Sequence, residues 1–174
     1  GQITVEKATD SPSSTVVLAG TDVVLAKFKA TTYGEKVKVD GLTVDFTSAA
    51  TATIRNGRVL INGTQVGSTT TINPLADTTA TDAGTLFNVN YTFEPGISTI
   101  EVRADIFDND GTGVFAAGDT IRVNLYGAET LNNAQGLVSG DATLDVPGAD
   151  VAGNTLTIGS GSMSLAKDQS YGDQ

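Results

Sequence analysis

Cysteine, histidine and tryptophan are all absent from this 174-residue chain, and each absence removes a class of chemistry. Without cysteine there is no disulfide and no thiol nucleophile, and without histidine there is no imidazole base and no Cys/His zinc site. Aromatic residues make up only 6% of the sequence, which disfavours the aromatic platforms typical of sugar-binding clefts. Most enzyme classes lose the residues on which their catalysis depends, so we expect no enzyme.

Basic residues are scarce as well, since 10 of them face 20 acidic residues and give a net charge of -10. Residues 75–174 hold 14 of the acids but only three bases, Arg103, Arg122 and Lys167. This balance lacks the positive surface on which nucleic-acid binding depends. We therefore expect no nucleic-acid partner, and cations are the more plausible ligands.

Long apolar runs are missing, because no stretch approaches the roughly 20 residues that span a bilayer. We therefore expect no membrane span. The chain begins at Gly1 without an initiator Met or signal segment, as expected of a processed mature protein or an excised segment. The 26 Thr and 20 Gly are typical of exported β-proteins, which predicts an extracellular or cell-surface location.

Alternation of apolar and polar residues recurs along almost the whole chain, whereas the spacing of an amphipathic helix does not. Val24, Ala26, Phe28 and Ala30, for example, form one apolar face with lysines between them. Strands recur about every 8 to 12 residues, with Gly-containing turns between them. This pattern predicts an all-β fold, an antiparallel β-sandwich of the immunoglobulin-like type.

Two turns are specified locally. The apolar phase slips at Asp40-Gly41, since Val39 is odd-numbered and Leu42 is even-numbered. Such a slip predicts a β-bulge that uses a positive φ at Gly41, with a two-residue hairpin turn as the alternative. Asn62-Gly63 separates two further strands and predicts a hairpin with a type I′ turn.

The two ends of the chain share the pattern Gly-polar-apolar-hydroxyl-apolar-x-Lys, at residues 1–7 and 161–167. The match suggests one period of a repeating array, although two amphipathic strands can also look alike by coincidence. We accordingly divide the chain into an N-terminal strand or linker at 1–13, a β-sandwich domain at 14–160, and a C-terminal strand at 161–174 that resembles the start of a further repeat.

One acidic loop has the ligand order of a twelve-residue calcium loop. If Asp108 is position 1, then oxygen ligands fall at positions 1, 3, 5, 7 and 12, with Gly113 at position 6, where the loop must turn sharply. These candidate ligands are Asp108, Asp110, Thr112, the Val114 carbonyl and Asp119. Strands rather than helices are expected on both sides, so the alternative is a turn-rich loop held by its own side chains. Ca²⁺ is the only cofactor that the sequence suggests.

Two weaker motifs complete the list of candidate sites. Asn62 and Asn90 match the N-glycosylation acceptor pattern, with Asn62 in a predicted exposed turn and Asn90 on the polar face of a predicted strand. A hydrolase that uses Asp105 with Asp108 or Asp119 needs only two carboxyl groups. The small aromatic content argues against such an enzyme.

The strand and turn order of Thr15–Gly20, Leu25–Ala30, Glu35–Val44 and Ala117–Val123 resembles the tandem β-sandwich repeats of large bacterial surface proteins. The resemblance covers most of the chain but includes no functional signature. It implies a structural role at the cell surface, with no catalytic residues, and a strand like Gly161–Lys167 that opens the next repeat.

We therefore expect a non-enzymatic extracellular structural subunit of a surface layer, stalk or filament. Its partners would be copies of itself or adjacent repeats. A surface-displayed adhesin or carbohydrate-binding module, with a glycan or host-surface ligand, is the alternative. A terminal strand is expected to complete a neighbour's sheet, with Ile3 and Val5, or Met163 and Leu165, as inward anchors. Otherwise, both strands pair within their own domain.

Overall fold

The computed structural model describes residues 1–17, 20–48, 54–74, 84–106 and 115–159. Within these residues the chain forms thirteen β-strands in three sheets and no helix. The predicted all-β fold is confirmed, and the sheets pack as a sandwich with all but one of their strand pairings antiparallel.

Sheet A has five strands in the order β1-β3-β10-β6-β7, and all of its pairs are antiparallel. Its strands are β1 (Gln2–Lys7), β3 (Val23–Tyr33), β6 (Ile54–Ile61), β7 (Thr64–Ile72) and β10 (Gly96–Asp105). The long central pair of β3 and β10 explains why alternation is clearest there. Sheet A therefore supplies one complete layer of the sandwich.

Sheet B forms the second layer, in the order β2-β13-β11-β5-β8. Its strands are β2 (Thr15–Val17), β5 (Leu42–Ser48), β8 (Thr85–Phe87), β11 (Thr120–Tyr126) and β13 (Val151–Gly159). β2 is parallel to β13, which is the one parallel pair between the described strands. Sheet C is a small antiparallel sheet in the order β12-β4-β9, formed by β4 (Val37–Val39), β9 (Tyr91–Phe93) and β12 (Ala134–Gly136).

The core lies between the sheets and consists of the apolar positions that alternate along the strands. In β3, Ala26, Phe28 and Ala30 are fully buried, whereas Lys27 and Lys29 lie on the opposite face. Phe28 is one of five phenylalanines that are buried in the core, namely Phe28, Phe46, Phe87, Phe93 and Phe115. Each such side chain stabilises the fold by roughly 1.5–3 kcal/mol through burial.

The hairpin considered at Asp40-Gly41 is wrong, and so is the positive φ predicted at Gly41. A one-residue irregularity is present there, because Val39 pairs with Tyr91 whereas Leu42 pairs with Phe87, which leaves two residues opposite three. The chain leaves sheet C after Val39 and enters sheet B at Leu42, so the phase slip marks a change of sheet. Gly41 does not have a positive φ. A Cβ at this position would lie 2.8 Å from Cδ1 of Leu86, an exposed side chain that can move away. The slip thus allows Val39 and Leu42 both to be buried.

The hairpin predicted at Asn62-Gly63 is confirmed. β6 and β7 pair from Ile61 and Thr64 outwards, and the two turn residues have φ values of 51° and 80°. Two consecutive residues with positive φ are the requirement of a type I′ turn, which Asn and Gly satisfy with little strain.

Candidate functional site

The N-terminal strand β1 occupies the edge of sheet A beside β3. Its six residues pair antiparallel with β3, from Gln2 opposite Tyr33 to Lys7 opposite Phe28. Ile3 is only 9% exposed and belongs to the core, and Val5 packs against it. We call this position the β1 seat, defined as residues Phe28–Tyr33 of β3 together with Glu35 and Asn154. It holds the first strand through both apolar and polar contacts.

Glu35 anchors the beginning of β1. Its carboxylate accepts hydrogen bonds from the Gly1 amino group and from the backbone N–H groups of Val138 and Ser139. The pKa of Glu35 is lowered to about 2. The hydrogen bond from the Gly1 amino group is the largest cause, and the contacts with Ser139 come next. A Cβ on Gly1 would lie 2.6 Å from Cγ of Glu35, so glycine is favoured at this position. Glu35 thus joins β1 to the loop after β12.

Lys7 and Asn154 anchor the other end of β1. Lys7 Nζ donates to Asn154 Oδ1 at 2.6 Å, and Asn154 Nδ2 donates to the carbonyls of Ser11 and Pro12 at 3.2 and 3.0 Å. Asn154 lies at a register shift of β13, between the pairs of Arg122 and Asn124. This side chain therefore ties the edge of sheet A to the last described strand of sheet B.

The predicted assembly residues are only partly within the described chain. Ile3 and Val5 point inwards as predicted, but they do so in the sheet of their own chain, which is the alternative arrangement for this strand. Met163 and Leu165 lie outside the described residues. Donation of a strand to a neighbour therefore stays a prediction.

The outer face of sheet A carries a row of ion pairs between neighbouring strands. Lys27 lies 3.0 Å from Asp10 and 3.6 Å from Glu101, and Glu101 also binds Arg103 at 2.8 Å. Further pairs join Lys29 to Glu6 and Arg58 to both Asp22 and Asp105. Opposite charges on adjacent strands stabilise their register modestly. This face satisfies its own charges.

Asp105, one of the acids considered for hydrolysis, belongs to this ion-pair row. Its two oxygens accept hydrogen bonds from the Asp22 N–H at 2.7 Å and from Asn56 Nδ2 at 2.6 Å. Burial alone would raise the pKa of Asp105, but these two hydrogen bonds and Arg58 together lower it. An ionised carboxylate with both oxygens engaged is suited to holding strands together.

The predicted calcium loop lies mostly outside the described residues, which exclude Asp108, Asp110, Thr112 and Val114. Asp119 is described, and its Oδ2 accepts a hydrogen bond from the Ala116 N–H at 2.8 Å. In the described ranges, no group of three or more acidic residues is arranged to hold a metal. The calcium site stays a prediction.

The two glycosylation candidates differ in their surroundings. Asn62 is exposed, but its Oδ1 accepts from the Thr99 N–H at 2.9 Å and its Nδ2 lies 3.3 Å from Ser98 Oγ. Asn90 is exposed too, yet it lies between β8 and β9 with a φ of 44°, so its predicted place on a strand is wrong. The Asn62 amide is therefore engaged in holding the turn to β10.

The outer face of sheet B contains a buried polar pair that the sequence did not reveal. Asp45 and Asn124 are 3% and 7% exposed, and Asn124 Nδ2 donates to Asp45 Oδ1 at 2.7 Å. Asn124 Oδ1 is buried without a hydrogen-bond partner. Burial raises the pKa of Asp45. The hydrogen bond from Asn124 lowers it in part, and repulsion from Asp150 raises it further. Asp45 alternates with apolar neighbours, so by pattern it looks solvent-facing.

Exposed apolar side chains gather at the end of the sandwich where β1 begins. Tyr33 and Ile97 lie on adjacent strands at this end, and they are 54% and 71% exposed. Ile97 is on the outer face of sheet A, where it lines a pocket with Lys29 and Thr99. Leu137 and Val138 follow β12, at 47% and 85% exposed, and their backbone N–H groups bind Lys36 and Glu35. We call Tyr33, Ile97, Leu137 and Val138 the end patch.

No helix within the described residues is long and apolar enough to cross a membrane. Comparison with known protein families gives no matching family model. No curated protein gives a significant match to the sequence. The arguments for function therefore come from the fold and from these surfaces.

Proposed function

We propose that this chain is a non-enzymatic, extracellular structural unit of a surface layer, stalk or filament, which assembles through contacts at the ends of its sandwich. The tandem β-sandwich repeats of bacterial surface proteins are the family it resembles. The observation that carries the proposal is the end patch. Its four apolar side chains are exposed at the end where the chain begins. A grouped apolar surface of this kind marks an interaction site more often than single exposed residues do.

The surface around the end patch supports the same proposal. The broad outer face of sheet A carries ion pairs within and between its strands, so many of its charges are paired within the chain. A contact centred on the ion pairs would have to disrupt them, whereas a contact that covers the end patch removes apolar surface from water. The apolar side chains therefore favour association through the end of the sandwich where β1 begins, including the adjoining part of the outer face at Ile97.

Electron microscopy and concentration-dependent light scattering test this proposal on the purified chain. The variant Ile97→Asp with Val138→Asp places two charges in the end patch and should abolish polymers while it keeps the β-sheet circular dichroism spectrum. Leu86→Asp is the matched control, because Leu86 is 59% exposed but lies on the edge strand β8 of sheet B. A parent chain that stays monomeric at high concentration, or end-patch variants that polymerise normally, would contradict the proposal.

A surface-displayed binding module is the second candidate, and one observation favours it. A groove of about 340 Å³ lies on the outer face of sheet B, lined by Thr47, Ser48, Thr120, Arg122 and Thr155. Arg122 is exposed and forms no ion pair within 4 Å with the described residues. Glycan binding that disappears in Arg122→Ala, with polymers absent from the parent chain, would favour this module over the structural unit.

A further inference from the structure

The structure shows which residues of the N-terminal strand contact the rest of the domain. Gly1 packs against Glu35, Ile3 and Val5 pack on the core, and Lys7 binds Asn154. Gln2, Thr4 and Glu6 lie between them on the outer face of sheet A, where Glu6 pairs with Lys29. Inward and outward positions thus alternate along residues 1–7.

Residues 161–167 repeat the contacting positions. Gly161 matches Gly1 in lacking a side chain, although it offers Glu35 a backbone N–H instead of a terminal amino group. Met163 and Leu165 match the two apolar anchors, and Lys167 matches Lys7. At the outward positions, Ser162 and Ser164 keep the polar character of Gln2 and the hydroxyl group of Thr4, whereas Ala166 replaces Glu6. The two segments thus share all four inward positions, and the shared glycine and lysine go beyond the alternation that any amphipathic strand shows.

The β1 seat of the same chain is far from this second segment. Ala26 of β3 lies against Gly153 of β13, and from there β3 continues to Tyr33 and β13 to Gly159. The two strands run towards opposite ends of the sandwich. β3 finishes at the end where the chain enters sheet C, whereas β13 starts at that end, with its first residue Val151 paired with Leu125. At about 3.3 Å per residue, Tyr33 and Gly159 are roughly 40 Å apart along the strands.

Gly161 is only two residues beyond Gly159, a distance of at most about 7 Å along an extended chain. Residues 161–167 therefore cannot reach the β1 seat of their own domain while β13 stays in place. We propose that residues 161–167 are a second β1-type strand, which pairs with the β3 edge in another copy of this domain. This inference rests on the proposed function, because an assembling or repeated domain supplies that copy.

The pairing has a defined register and an expected weakness. Ser164 replaces Thr4 and lies opposite Thr31, and Lys167 lies opposite Phe28 beside Asn154 of the acceptor. Ala166 cannot form the ion pair that Glu6 forms with Lys29. The second strand thus binds an open seat but displaces an intact β1 poorly.

Engineered cysteines test the inference, since the chain has none of its own. The acceptor carries Thr31→Cys with Ile3→Asp, which places a charge in the core and opens the seat. The donor carries Ser164→Cys. After oxidation of the mixed full-length chains, we expect roughly tenfold more disulfide-linked heterodimer than with an acceptor that carries Gln2→Asp instead, a change at an exposed position that is not opposite Thr31.

A donor with Leu165→Cys controls for register, because residue 165 points to the other face of the strand. Equal cross-linking of the two donors, or none, would overturn the inference. If circular dichroism shows that Ile3→Asp unfolds the acceptor, the milder change Val5→Ser at the second, partly buried anchor replaces it and loosens β1. The Ser164 donor should then still cross-link more than the Leu165 donor, and equal cross-linking would overturn the inference. Polymers that depend on the end patch without this cross-link would leave the proposed function intact.

Discussion

At the residue scale, Asp45 shows how a buried carboxylate can oppose folding. Its pKa is raised because burial disfavours the charged form, and the nearby Asp150 repels it. The Asn124 side chain donates a single hydrogen bond to Asp45. Its own Oδ1 is buried and accepts no hydrogen bond. Ionised Asp45 therefore reduces stability at pH values above its folded-state pKa.

We expect Asp45→Asn to stabilise the protein at pH 7 by about 1 kcal/mol, because it removes the buried charge and supplies an N–H donor for Asn124 Oδ1. The raised folded-state pKa means that the native state of the parent gains protons first as pH falls. The stability gain from removing the charge should therefore shrink as pH falls through that pKa towards the ordinary value of 3.8. Urea unfolding at several pH values measures this difference.

Glu129→Gln is the control for net charge, since Glu129 is exposed and its change also removes one negative charge. It should leave the unfolding midpoint nearly unchanged at pH 7. An Asp45→Asn variant that is no more stable than this control at pH 7 would contradict the prediction. So would a gain that grows as the solution becomes more acidic.

At the element scale, Glu35 joins three parts of the chain that are distant in sequence. It lies in the turn between β3 and β4, and it binds the residue before β1 and the loop after β12. Its pKa of about 2 is far below the ordinary 4.5, so the ionised form stabilises the native state. That stabilisation is complete above about pH 4.5 and is lost as pH falls towards 2.

We expect the parent chain to lose stability between pH 4.5 and 2 more steeply than Glu35→Gln, which has no carboxylate to protonate. Acid titration followed by circular dichroism measures the two slopes. Glu94→Gln is the matched control, because Glu94 forms an exposed ion pair with Lys36 and such pairs contribute little. Parallel acid transitions for parent and Glu35→Gln would show that Glu35 does not stabilise the fold through its charge.

The contacts of Glu35 also show where sequence reasoning ends. Alternation predicted the strands, and Asn62-Gly63 predicted its hairpin, because both signals are local. Glu35 binds residues more than 100 positions away, and no local pattern identifies such a partner. The change of sheet at Asp40-Gly41 was missed for a similar reason. A phase slip has the same local appearance whether the chain stays in one sheet or moves to another.

At the scale of the whole molecule, the two main sheets are joined at both lateral edges. On one side Lys7 of β1 binds Asn154 of β13. On the other side Thr85 of β8 donates to the Thr71 carbonyl of β7 at 3.1 Å and accepts from the Asn73 N–H at 3.0 Å. These polar contacts link the two layers along their edges. A further link between layers would therefore stabilise the sandwich as a whole.

The acidic segment at residues 108–119 is placed to provide such a link. β10 of sheet A ends at Asp105 and β11 of sheet B begins at Thr120, so this segment connects the two layers. The chain carries a net charge of -10, and acids close together repel one another unless a cation balances them. We predict that Ca²⁺ binds here through Asp108, Asp110, Thr112, the Val114 carbonyl and Asp119.

Thermal unfolding in Ca²⁺ and in EDTA tests this prediction. A ligand at 100 times its dissociation constant stabilises the native state by about 2.7 kcal/mol, which corresponds to roughly 5–10 °C in Tm for a chain of this size. Asp108→Asn with Asp110→Asn should abolish the shift, because it removes two of the three carboxylate ligands. Asp77→Asn with Asp82→Asn removes the same charge elsewhere and should keep it. If Ca²⁺ does not raise the midpoint of the parent chain, the predicted calcium site is wrong. It is also wrong if the shift persists in the variant Asp108→Asn with Asp110→Asn.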